Sequence, residues 1–90
     1  MSDEDRLWLS YARENYEVAA MSLEHGFYNA SLRNAQQATE KALKSISIAR
    51  VAPIERTHSI RKLRDNLLLL NIDAGLTEED CELFDSIYLP

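Results

Sequence analysis

An all-α fold, an up-and-down antiparallel bundle of four helices, is what this chain predicts. Three observations carry the prediction. Ninety residues contain only two glycines and two prolines, so turns are few and the elements between them are long. Alanine and leucine are abundant and β-branched residues scarce, which favours helix over strand. Apolar positions recur with a helical period, and short connections between the periodic segments place neighbouring helices antiparallel. The length allows one domain, residues 1–90, with one modest core.

Helix one is expected from Asp3–Asp5 to His25–Gly26. Acidic residues at its start suit the positive end of the helix dipole, and Gly26 supplies the stop. Trp8, Ala12, Ala19 and Leu23 share a face, with Tyr11 and Tyr16 at its edges. Helix two is expected from Asn29 to Arg50. Its apolar stripe is Tyr28, Ser31, Ala35, Ala38, Ala42, Ile46 and Ala49, widened by Leu32 and Leu43. Small side chains let a neighbour approach closely, so this helix reads as the central packing element. Arg33, Gln37, Glu40, Lys41 and Lys44 form its opposite, polar face.

Pro53 breaks the helical pattern and Thr57 is placed to cap helix three, expected over His58–Asn71. Ile60, Leu63, Leu67 and Leu70 form its inner face; Leu68 and Leu69 either broaden that contact or meet another chain. Asn71–Gly75 turns the chain. Thr77 with Asp80 has the spacing of a capping box, and it opens helix four. Cys81 or Leu83, Phe84, Ile87 and Tyr88 are the candidate core residues of that last helix, which looks short for a full bundle.

Several functional classes are excluded early. No apolar run approaches the roughly 20 residues of a membrane span, and the acidic start is unlike a signal peptide. A single cysteine forms no internal disulfide, so a reducing, cytoplasmic location is expected, with Cys81 a small core residue. Walker, dinucleotide, zinc and HExxH patterns are all missing from the sequence. No metal site and no cofactor are expected, because two distant histidines and one cysteine make no ligand pattern.

Charge is the one functional signal. The chain is acidic overall, at −5, yet Lys41–Arg64 holds seven of the ten bases and one of the fifteen acids. One reading is a solvated face balanced by acidic neighbours. The other is an anion site, in which the start of helix three offers free N–H groups to a phosphate. Arg56, His58 and Arg61 then supply donors, with Lys41 and Lys44 as outlying candidates. Net acidity argues against broad duplex binding and fits a nucleotide or a short RNA better. His58 also reads as a packing residue bonded across the loop, and His25 as a helix-end histidine. The residues alone support a helical interaction or anion-binding domain.

The ordered run of Trp8, Gly26-Phe27-Tyr28, Ala30 to Ile46 with AQQATEKALKS, and THSIRKL resembles a HEPN domain (higher eukaryotes and prokaryotes nucleotide-binding). The likeness runs from about Arg6 to Tyr88. It implies a four-helix bundle that forms a homodimer. It also implies a minimal nucleotidyltransferase as partner, in a two-component, toxin–antitoxin-like system. Some members are similar to metal-independent RNases that use an Arg-x(4–6)-His motif, with arginine on phosphate charge and histidine as acid or base. Here the allowed positions before His58 hold Pro53, Ala52 and Val51, and those before His25 hold Ala20, Ala19 and Val18. Arg50 stands one position too far from His58, so that pair is only a weak catalytic candidate and a non-catalytic module is expected. The resemblance further implies an Arg-Tyr-Pro-like continuation past Leu89–Pro90, so the last helix is expected to be shortened.

Overall fold

The computed structural model describes residues 3–50 and 56–88, with the side chain of Tyr88 left out. The break at Pro53, Glu55, the Tyr88 side chain and Leu89–Pro90 therefore lie outside the described residues. Four helices run through the described residues, and none of these is a strand: α1 Asp3–Glu24, α2 Tyr28–Ala49, α3 Ile60–Leu68 and α4 Glu78–Tyr88. The protein is an all-α helical bundle. Among the described residues, no helix is long and apolar enough to cross a membrane.

α1 opens with Asp3, Glu4 and Asp5 in its first turn. It closes where Gly26 takes φ +77°, with the Phe27 N–H on Ser22 O at 2.8 Å and the Gly26 N–H on Leu23 O at 3.1 Å. That pairing satisfies carbonyls the helix end leaves open, and a left-handed residue is needed to make it. α2 then returns along α1. Ser31 Oγ donates to Ala19 O at 2.8 Å, Asn15 Nδ2 to Asn34 Oδ1 at 3.1 Å, and Ser45 Oγ to Asp5 O at 2.9 Å. These partners advance in opposite directions, so the two helices are antiparallel. Ala12, Ala19 and Ser45 are buried along the seam. Small side chains allow the hydroxyls to reach backbone across the interface.

Two expectations for this hairpin are corrected. Leu23 and Tyr28 were placed on apolar faces, but they are 58% and 70% exposed. Both lie at the α1–α2 turn, and α1 packs on α2 and on no other described helix. The second correction concerns α2. Part of its polar face is turned inward: Glu40 and Lys44 are buried, with Gln36, beside Leu43 and Ser47, while Arg33 stays exposed. α3 and α4 pack on that side, so α2 is covered on two faces. It is central, as its small residues predict.

The core lies between α2, α3 and α4. Leu43, Ile60, Leu63, Leu67 and Cys81 are buried together, flanked by Ile46, Ile72, Leu76 and Phe84. α3 starts later and ends earlier than expected. Ser59, not Thr57, is its N-cap and accepts from the Lys62 N–H at 3.2 Å, while Thr57 Oγ1 accepts from the Ser59 N–H at 3.1 Å. Asn71, at φ +61°, ends the helix through Ile72 N–H to Leu67 O and Asn71 N–H to Leu68 O, both 2.9 Å. The early stop takes Leu70 off the helical period, so it joins Leu68 and Leu69 outside while Leu67 stays in. The capping box is present: Thr77 N–H donates to Asp80 Oδ2 and Asp80 N–H to Thr77 Oγ1, both at 3.0 Å. In α4, Cys81 is buried and Leu83 is exposed, so Cys81 is the residue facing the core.

Candidate functional site

Two of the candidate residues, Lys44 and His58, meet on one buried carboxylate that the sequence did not single out. Glu40, on α2, accepts from Lys44 Nζ at 2.9 Å, one helical turn on. It also accepts from Gln36 Nε2 at 3.2 Å, one turn back. The Nδ1 of His58 comes from the α2–α3 connection to within 3.1 Å of Oε1 and 3.3 Å of Oε2. Burial pushes the Glu40 carboxyl up, but the hydrogen bonds from Lys44 and His58 more than offset it, and the net shift is down. Gln37 Nε2 donates to Gln36 Oε1 at 3.2 Å and extends the network along the helix. Lys44 Nζ also lies over the Trp8 ring, 5.7 Å from its centre. His58 thus makes the bond across the loop that the packing reading anticipates. An imidazole oriented by a carboxylate is also a geometry suited to acid–base work.

A second carboxylate occupies the start of α3. Asp85, on α4, accepts from the Ile60 N–H at 2.6 Å, the Ser59 hydroxyl at 2.8 Å and the Arg61 N–H at 3.4 Å. The protein has placed its own anion where the sequence reading places a phosphate, for the same physical reason: a helix N-terminus favours negative charge. An external anion at that spot has to bind through side chains or displace Asp85.

The bases are largely engaged. Arg61 Nε donates to Glu78 Oε2 at 3.0 Å, and Arg64 binds the other oxygen of Glu78 and also Asp65. Glu78, and then Asp65, hold the Arg64 guanidinium charged well above the ordinary arginine range; Arg64 in turn holds Glu78 down. Glu78 opens α4, so this cluster ties the two short helices together and, with Asp85, sets them antiparallel. Lys41 Nζ donates to Asn15 Oδ1 at 2.7 Å and sits 5.8 Å from the Tyr11 ring centre. Arg56 is exposed beside the connection, and Arg50 is the exposed C-cap of α2. The structure therefore brings Lys44 and His58 together on Glu40 and places Arg61 on the α3–α4 clamp. Lys41 is held on the α1 side.

Glu40 was missed because its position falls on the polar face of α2, and Asp85 because its partners, the N–H groups that open α3, lie on another helix. The available signal was the run Gln36, Glu40, Lys44 at four-residue spacing beside Leu43 and Ser47, which marks a second packed face of α2. Cys81 has no chemical part here: burial pushes its thiol up, and it stays a neutral core group. Among the described residues, no three His, Cys, Asp or Glu side chains are grouped to hold a metal ion.

A family model described as HEPN domain matches residues 6–90. The chain belongs to the HEPN domain family. The match spans nearly the whole chain, so the hairpin, the Glu40 hub and the Asp85 cap are all parts of the HEPN domain itself. No curated protein and no solved structure matches the chain.

Proposed function

We propose that this HEPN domain is a non-catalytic module that pairs with a second copy of itself. In this reading it serves a minimal nucleotidyltransferase in a cytoplasmic two-component system of the toxin–antitoxin kind. The supporting observation is the outer side of α1. Leu7, Tyr11, Val18 and Met21 recur there at helical spacing and are exposed, on a helix that packs against α2 alone among the described helices. Apolar residues in such a row mark an interaction surface, and a small helical domain gains stability by covering it. A nucleotide or phosphate is the expected ligand of the basic stretch, held by the side chains of Arg56, His58 and Arg61 with Lys41 and Lys44 nearby.

Light scattering across a concentration series tests the pairing. A dimer that becomes monomeric in a Leu7→Ser/Met21→Ser variant supports it, and a wild-type monomer throughout removes it. Co-expression with a nucleotidyltransferase encoded beside the gene tests the partner, through a complex that survives gel filtration.

A second reading, a metal-independent ribonuclease, is favoured by the Glu40–His58 pair alone. It requires RNA cleavage in EDTA that is lost in Arg50→Ala or His58→Ala. Intact RNA after incubation with the pure protein removes it.

A further inference from the structure

The exposed apolar row on α1 contains one charge. Leu7, Tyr11, Glu14, Val18 and Met21 follow one another at spacings of four, three, four and three residues, which keeps them on one side of the helix. All five are exposed. That spacing is the seam by which one helix packs along another. A carboxylate in the middle of such a seam loses water when the seam is covered, and its burial is tolerated only beside a compensating cation. Among the described residues, Glu14 has no hydrogen-bond or ion-pair partner. A base stands at the edge of the seam. Lys41 Nζ lies 5.8 Å from the Tyr11 ring centre and is held there by Asn15 Oδ1 at 2.7 Å.

We infer that two copies pack α1 against α1 antiparallel, with Glu14 of each copy on Lys41 of the other. A parallel pair sets Asp3, Glu4 and Asp5 of both first turns side by side and aligns the two helix dipoles; an antiparallel pair avoids both. Across an antiparallel seam, the set Leu7, Glu14 and Met21 of one helix faces the set Tyr11 and Val18 of the other. Two registers do this near the middle of α1. One sets Glu14 against Val18 and buries the charge on apolar carbon. The other sets Glu14 against Tyr11 and Leu7 against Val18, and so brings each carboxylate to the ammonium beside that ring. Two-fold symmetry makes this ion pair twice. The pair also selects the partner, because an apolar helix without such a base leaves Glu14 buried and unpaired. The inference rests on the pairing reading above and adds its register and its charge contact. It assigns Lys41 to that interface rather than to a ligand.

Exchanging the two charges, followed by sedimentation equilibrium, tests it. Glu14→Lys and Lys41→Glu each set like charges together and are expected to weaken the dimer by about tenfold or more. The chain carrying both changes is expected to return to within about threefold of wild type, because the pair is remade with its signs reversed. Single changes without effect, or a weakening that the double change does not repair, overturn this register and leave the pairing itself standing. A wild-type monomer at every concentration overturns both. Lys41 also holds Asn15, so a second measurement avoids it. Under oxidised glutathione, Leu7→Cys/Val18→Cys is expected to form a covalent dimer, while Tyr11→Cys/Met21→Cys, which face each other in the other register, stays uncoupled. The reverse result overturns the inference.

Discussion

Glu40 and Asp85 show how one charged residue per interface organises this protein. Each is a carboxylate taken out of water and compensated by several donors, the condition under which buried charge is tolerated. Asp85 carries the start of α3 from another helix. Asp85→Ala should leave the Ile60 N–H without its partner and cost about 2 kcal/mol, with Ser59→Ala costing about 1. Urea titrations of both variants measure this. Glu40 predicts a pH dependence. Its folded pKa lies below the ordinary 4.5, so the stability it contributes is complete above that value and is lost as pH falls through the folded value. Glu78 has the same sign. Melting temperature should be level between pH 5 and 7 in this respect and fall below about 4.5. Thermal melts of Glu40→Gln should show a shallower fall on that acid side and a lower plateau above it, because the charge that satisfies Lys44 is gone.

At the level of elements, the caps were the most legible features. Gly26, Thr77 and Asp80 sit where the sequence places them, because a cap is made by residues within a few positions of each other. Gly26→Ala should cost about 1 kcal/mol, since no side chain is nearby and only the left-handed backbone is strained. Thr77→Ala should cost about the same by removing half of the capping box. Circular-dichroism melts of the two variants give the comparison. The start of α3 was less legible. Thr57 and Ser59 are both good caps by type, and the choice fell to Ser59 because Asp85 reaches it from α4. The faces of α2 were misread for a related reason: periodicity finds one apolar stripe, while this helix is packed on two sides.

At the level of the molecule, α2 joins two halves of different character. On one side is a thin seam of alanine and serine with α1, and on the other an apolar core with α3 and α4. Leu67, 1% exposed, lies in that core, and Leu67→Ala should cost about 2–5 kcal/mol. The outer side of α1 predicts a different behaviour. If a second copy covers it, the melting temperature rises with protein concentration in the wild type and loses that dependence in Leu7→Ser/Met21→Ser. Differential scanning calorimetry at two concentrations well apart separates these outcomes.

The sequence by itself determined the helical class, the order of the four helices, the turn at Gly26, the capping box at Thr77 and the burial of Cys81. These follow from local propensity and from periodicity, which act between near neighbours in the chain. Tertiary structure alone decided that Glu40 and Asp85 lie buried and that Arg61 and Arg64 serve Glu78. Each of those outcomes depends on which charge another helix delivers to the same place, and no spacing within one segment encodes that distance.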